Sequence, residues 1–238
     1  MGLVLYSLPG ETYQTMHHWF IGGMFQGMIG NHYSPQKDVN MTISIRKYIS
    51  TDVISFAKTS ARFGELSNMA PKFPLFVNDV VIPSTECLYQ ACKFPLFPNI
   101  QKMIIEERNP MKAKLISRKY NAFVRTDWED IKYEVMAWCL ATKLIQNWDS
   151  FSEVLLSTRD KTIVEYSSKD DSWGAKPEGI YLIGKNALGR LLMQLRQDYI
   201  FNCKQREKLF PPEIVGFLLF GYPIGTVYGQ DYYKEEYL

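Results

Sequence analysis

The sequence predicts an α+β chain, mostly helical with a small β-sheet, and three observations carry that prediction. Helical patterns with capping residues in front open at Ser84, Asn109 and Asp127. A tight-turn pair, Asn78-Asp79, divides two short apolar runs, as in a hairpin. Short strand-like runs, Val53 to Lys58 and Thr162 to Tyr166, sit before and after the helical block.

Residues 1–55 carry turn signals (Pro9-Gly10, Gly22-Gly23, Ser34-Pro35) with little periodicity, and are expected to form an N-terminal extension. The main domain is expected over 56–200. Its hairpin spans Phe73 to Ile82, because Asn and Asp tolerate the positive φ that such a turn needs. Ser84 is the expected N-cap of a helix running toward Phe94, where Pro95 stops it. Asn109-Pro110 gives a cap followed by proline at the first helical position, opening Met111 to Tyr120. Asp127 is expected to cap the longest helix, with Ile131, Val135, Trp138, Thr142 and Ile145 on one stripe. Ser150 with Glu153 reads as a capping box for a short helix ending near Ser157. Asn186 introduces a last core helix with Leu188, Leu191, Leu192 and Leu195 facing inward. Residues 201–238 are expected to form an aromatic extension packed on the core, because Tyr222, Tyr228, Tyr232, Tyr233 and Tyr237 come with little charge until the end.

Composition excludes several function classes. With 46% hydrophobic and 22% charged residues the chain is expected to be soluble and globular. Its net charge of +2, from 27 basic and 25 acidic residues, gives no global field directed at nucleic acid or a membrane. The apolar stretch Trp19 to Phe25 is brief and followed closely by glycines, far short of the roughly 20 apolar residues a membrane span requires. Met1 to Leu8 lacks a basic start, so no signal peptide is expected and the chain is assigned to the cytoplasm. Cys87, Cys92, Cys139 and Cys203 have no metal-type spacing, and His17, His18 and His32 lie far from the central block. No metal ligand set and no cofactor are therefore expected. Val53 to Leu195 contains no histidine, so proton chemistry there falls to carboxylates.

The residues from Phe63 to Gln197 resemble the NADAR superfamily, the YbiA-like N-glycosidases. The resemblance is carried by Ser67-Asn68, Thr85-Glu86 with Tyr89-Gln90-Ala91 and Lys93-Phe94, and Pro110 with Ala113-Lys114. It continues through Trp128, Val135-Met136, Lys143, Glu165, Asp170, Trp173-Gly174, Gly184-Lys185-Asn186 with Leu188-Gly189, Leu192-Met193 and Leu195-Arg196. It implies a compact, mostly helical α+β domain that cleaves a C–N bond to ribose without a metal. The substrates it implies are phosphoribosylamine-type intermediates of riboflavin synthesis, or ADP-ribose on a guanine base. It places the catalytic glutamate on Glu86, the tryptophan on Trp128 and the second acid on Asp170. It departs at Cys87, where the family usually has histidine.

Cleaving that bond builds oxocarbenium-like charge on the sugar, which a carboxylate stabilises while it or another activates water. Glu86 and Asp170 are the candidate catalytic pair, and the sequence leaves open which takes which role. Against this stands a plainer reading of Glu86 as a first-turn acid on a solvated face with Gln90 and Lys93. Trp128 and Trp173 read equally as core anchors or as platforms for a flat base, a stacking worth roughly 1–3 kcal/mol per base. Lys93 is a candidate phosphate contact. Gly184-Lys185-Asn186 at a helix start reads as a phosphate seat or, for Asn186, a simple cap. Ser67, Asn68 and Gly174 complete the expected substrate-binding set. The expected partner is a small nucleotide or ribosylated base; ADP-ribosylated nucleic acid stays open, and no membrane is expected. The competing function is a module that binds NAD or ADP-ribose without cleaving it, motivated by Cys87.

Overall fold

The computed structural model describes residues 43–201 and 206–231. The turns expected within 1–42, all three histidines, Cys203 and the tyrosines at 232, 233 and 237 lie outside the described residues.

In chain order the elements begin with strands β1 (Arg46–Ile49), β2 (Ile54–Phe56), β3 (Leu75–Val77) and β4 (Val80–Ile82). Helices α1 (Thr85–Ala91), α2 (Pro98–Glu106), α3 (Pro110–Lys119), α4 (Trp128–Gln146) and α5 (Trp148–Ser157) follow. Then come β5 (Ile163–Glu165), β6 (Lys176–Glu178), β7 (Tyr181–Gly184) and α6 (Ala187–Leu195). Four two-residue strands close the described chain: β8 (Lys208–Leu209), β9 (Leu218–Leu219), β10 (Tyr222–Pro223) and β11 (Val227–Tyr228). The fold is mixed α+β, with helices outweighing small sheets.

The hairpin β3–β4 turns at Asn78 (φ 48°) and Asp79 (φ 60°), both left-handed as the tight turn demands. Ser84 caps α1 by accepting from the Cys87 amide, and Asn109 caps α3 by accepting from Met111 and Lys112. Two expected caps are corrected. Asp127 precedes α4 but its carboxylate is drawn to the Arg125 guanidinium (2.6 and 2.9 Å), because a bidentate ion pair outcompetes an amide. Ser150 lies inside α5, which starts two residues earlier, and its hydroxyl donates back to the Asn147 carbonyl. Helix α2 was not read from the sequence: Pro98 starts it, and Ile100, Ile104 and Ile105 are its buried stripe.

Helix α4 is the central pillar, touching α1, α5 and α6. Val135, Trp138, Thr142 and Ile145 are fully buried, and Leu188, Leu191, Leu192 and Leu195 of α6 face the same core. Leu209, Phe217, Leu219, Ile224 and Val227 join it from the C-terminal stretch. Strand β1 pairs with β7 in the sheet β1-β7-β6, so residues expected in the N-terminal extension complete this sheet.

Two features of the frame bear on the site. Strands β2 and β5 are parallel neighbours, which sets Glu165 at the end of β5 beside Phe56. Lys143 on α4 is fully buried, its ammonium 3.9 Å from the Phe151 ring centroid and 4.5 Å from Phe73. It donates to the carbonyls of Glu65 (2.6 Å) and Ser67 (3.1 Å), pinning the turn that delivers Asn68. Burial pushes this ammonium well below the usual lysine range, with Glu65 pulling the other way.

Candidate functional site

Glu86 stands in the first turn of α1 with only 1% of its surface exposed. An unpaired carboxylate at that depth is costly, and two hydrogen-bond donors and a nearby ammonium answer it. Gln90 Nε2 donates to Oε1 at 2.8 Å from the next turn of the same helix. Asn68 Nδ2 donates to Oε2, and the Asn68 carbonyl accepts from the Glu86 amide at 2.9 Å. Lys114 Nζ lies 3.9 Å from Oε1, reaching over from α3 with 28% of its side chain exposed. The solvated-face reading of Glu86 is thereby overturned: its helical neighbour Gln90 is a buried hydrogen-bond donor, not a solvent-facing side chain.

Aromatic rings form a continuous run beside this carboxylate. Trp128, at the start of α4, lies 5.0 Å from Tyr89 between ring centroids; Tyr89 lies 5.6 Å from Trp173, and Trp173 lies 5.2 Å from Tyr133. Trp128 is buried, whereas Trp173 and Tyr133 are half-exposed, so the run emerges from core to surface. Lys93 sits above its buried end, 5.3 Å from the Trp128 ring and 5.7 Å from Tyr89. Burial lowers the Lys93 ammonium to about 8, although Glu86 acts against that shift; Lys114 and Arg118 reinforce it.

The second acid, Asp170, lies on the loop after β5. Its Oδ1 accepts from the amides of Ser172 (2.9 Å) and Trp173 (3.0 Å), and its own amide donates to Ser167 Oγ (2.9 Å). One oxygen thus shapes the loop that presents Trp173. No donor among the described residues reaches Oδ2. A third acid, Glu165, belongs to the same field: burial, then Asp170 and Glu86, push its carboxyl up to about 7 against the opposing pull of Lys114. It is half-buried. Sequence reading set Glu165 and Lys114 only within the family pattern and gave neither a role. The one usable signal was the strand end at 165, which a short run does not distinguish from a buried edge.

The expected residues therefore divide. Glu86, Asn68, Lys93 and Trp128 gather about Tyr89, with Trp173 joined through the ring run and Asp170 bonded to the Trp173 amide. Ser67, Gly174 and Asn186 shape the frame. Ser67 gives its carbonyl to Lys143 and its hydroxyl accepts from the Met69 amide. A Cβ on Gly174 would lie 2.6 Å from the Glu165 carbonyl oxygen and 3.1 Å from Ser167 Cβ, so only glycine lets this loop fold onto β5.

The phosphate seat expected at Gly184-Lys185-Asn186 is corrected. The amides of Lys185, Asn186, Ala187 and Leu188 donate to the carbonyls of Asp171 (2.6 Å), Gly174 (3.0 Å), Ser172 (3.1 Å) and Trp173 (3.0 Å). Those amides are already used to hold the loop 171–174. Nor is Asn186 a side-chain cap. Fully buried at φ 50°, it accepts from the Glu165 amide (3.0 Å) and donates to the Ile163 carbonyl (2.8 Å), bracing β5. Lys185 carries its charge near Asp171, which is paired with Lys176 at 2.8 Å.

Cys87 faces inward. Ser84 Oγ donates to its sulfur (3.2 Å), the thiol donates to the Glu107 carbonyl (3.6 Å), and burial raises it to about 11. The family departure at this position thus falls in the helix packing behind Glu86. Among the described residues no three of His, Cys, Asp and Glu stand close enough to hold a metal ion. No helix among them is long and apolar enough to cross a membrane.

Comparison with known proteins identifies a family and a fold neighbour. A family model described as the NADAR domain matches residues 55–199. N-glycosidase YbiA of Escherichia coli (strain K12) is 33% identical over 154 residues, covering 65% of this chain and 92% of that protein. The NMR structure of E. coli YbiA superposes with a TM-score of 0.55 at 33% identity, covering 65% of this chain and 89% of that one. A riboflavin biosynthesis protein of Vibrio vulnificus is 33% identical over 159 residues, and a chloroplastic one of Zea mays 37% over 163. The matched region spans only 42% and 26% of those two longer proteins.

Proposed function

The chain belongs to the NADAR domain family, and from that premise we propose that it is an N-glycosidase hydrolysing the C–N bond between a ribose and a base or amine. The observation that carries the reading is the Glu86 carboxylate, buried yet held by Asn68, Gln90 and Lys114 beside a wall of aromatic rings. Fixed donors hold this charge in place before substrate arrives, so little reorganisation remains for the reaction step. A carboxylate so held stabilises positive charge growing at the anomeric carbon or takes a proton from the attacking water. Asp170, with Oδ1 occupied and Oδ2 open, orients ribose hydroxyls or that water. Trp173 and Tyr133, half-exposed, offer ring faces to a base, with Trp128 and Tyr89 behind them. Lys93 and Lys114 supply positive charge for a phosphate on the substrate. Under this reading turnover needs no metal and survives a chelator.

The substrate classes to be tested are phosphoribosylamine-type intermediates of riboflavin synthesis and ADP-ribosylated guanine, free or in DNA. Purified protein would be incubated with each in parallel and the products identified by mass spectrometry. Release of free base or amine together with the ribose product from either class, abolished in Glu86→Gln, is the expected result. Full activity in Glu86→Gln removes Glu86 from the chemistry. Tight ADP-ribose binding by calorimetry, with no product from any substrate, would instead establish the binding module.

A further inference from the structure

We propose that Lys143 is a positioning residue for the Glu86 carboxylate, acting on it through the turn that ends in Asn68. This deepens the N-glycosidase reading and rests on it. Lys143 is fully buried near the end of α4, out of a substrate's reach. Burying an ammonium without a bonded carboxylate is costly, and an apolar side chain of similar length would fill the space without that cost. Among the described residues no carboxylate bonds it; that of Glu65 is paired with Lys72 at 3.0 Å. Its partners are the carbonyl oxygens of Glu65 (2.6 Å) and Ser67 (3.1 Å) and the ring faces of Phe151 and Phe73. Both hydrogen bonds therefore fall on one short segment of chain.

That segment is the 3₁₀ turn Gly64–Leu66 and the residue after it. It begins in strain. Phe63, a bulky residue, sits at φ 61°, in the left-handed region that glycine enters readily and other residues do not. Such a conformation persists only where its surroundings fix it. The Leu66 amide donates to the Phe63 carbonyl (3.0 Å) and the Ser67 amide to the Gly64 carbonyl (3.1 Å), closing the turn on itself. Lys143 ties the closed turn to α4 from 76 residues away in sequence.

The next residue is Asn68. Its Nδ2 donates to Glu86 Oε2, and its carbonyl accepts from the Glu86 amide at 2.9 Å. Asn68 thus holds both the carboxylate and the backbone of Glu86, so a shift of the turn displaces both contacts. Helix α4 also carries Trp128 as its first residue. Through Lys143 the Asn68 turn is set on the same rigid element as the aromatic wall. A displacement of about 1 Å at such a site costs up to about 10²-fold in rate.

The test is a double-mutant cycle on kcat with wild type, Lys143→Met, Asn68→Ala and the double variant, using the ribosylated substrate that wild type cleaves. Lys143→Met should lose about 10- to 10²-fold in kcat, with KM changed no more than a few-fold. The double variant should fall to the rate of Asn68→Ala and no further, because Lys143 then has no contact left to position. A loss of stability alone would leave kcat per folded molecule unchanged. Losses that multiply in the double variant, or wild-type kcat in Lys143→Met, overturn the proposal. Should Lys143→Met fail to fold, Lys143→Gln, a neutral donor, takes its place in the cycle; failure of both assigns Lys143 to folding and overturns the positioning role. Nitrogen-15 NMR of the asparagine side-chain amides, with Asn68 assigned by its absence in Asn68→Ala, reads the same contact without turnover. The Asn68 resonance should move in the Lys143 variant, and an unmoved one overturns the proposal. A wild type inert on every substrate sinks the N-glycosidase reading itself, whereas an active wild type with a fully active Lys143 variant sinks Lys143 alone.

Discussion

Replacing Glu165 by glutamine should make the protein more stable at pH 8 and leave it nearly unchanged at pH 5. The Glu165 carboxyl is raised from 4.5 to about 7 in the folded protein, burial being the first cause. Because the folded value is the higher one, the native state holds its proton more tightly than the unfolded chain between those limits. The stability this confers is complete below the unfolded value and is lost as pH climbs through about 7. At 1.36 kcal/mol per pH unit, the shift sets a ceiling on the order of 3 kcal/mol. The residue is only half-buried, so solvent screening reduces this to about 1–3 kcal/mol. Glutamine has the same shape and no charge, so it removes the penalty. Urea melts of wild type and Glu165→Gln at pH 5 and pH 8 read the difference directly. For a chain of this length each kcal/mol moves the midpoint temperature by about 2–4 °C. A difference of equal size at both pH values would refute the reasoning, as would a variant less stable at pH 8.

Two further perturbations follow from the same geometry. Asn68→Ala removes the donor on Glu86 Oε2 and leaves a buried carboxylate oxygen short of a partner; the cost should be about 1–3 kcal/mol by urea melt. It should also lower kcat more than it raises KM, and wild-type values of both would separate Asn68 from the site. Gly174→Ala sets a methyl 2.6 Å from the Glu165 carbonyl oxygen, which backbone must yield to; a loss of about 1–3 kcal/mol and weakened Trp173 fluorescence changes on ligand addition are expected. An unchanged melt would show that the loop after β5 does not need this close approach.

The helices at Ser84 and Asn109, the hairpin at Asn78-Asp79 and the stripe on α4 are determined by local chemistry. Capping groups, turn dihedrals and helical spacing involve neighbours within a few residues, so they are written in the sequence itself. So too was the candidacy of Glu86 and Asp170, because the family pattern orders them along the chain. What only the tertiary structure decided are choices between partners far apart in sequence. Asp127 leaves its helix for Arg125, which also reaches the Val215 carbonyl 90 residues on. Asn186 abandons its cap to brace β5, and the amides expected to hold a phosphate hold the loop 171–174 instead. Glu165 acquires its character from helices α1 and α3 and the Asp170 loop, none of which its strand sequence reveals. Short-range geometry follows from the backbone and nearest side chains, whereas a charge's behaviour depends on the medium and the charges around it, and those exist only once the chain has closed on itself.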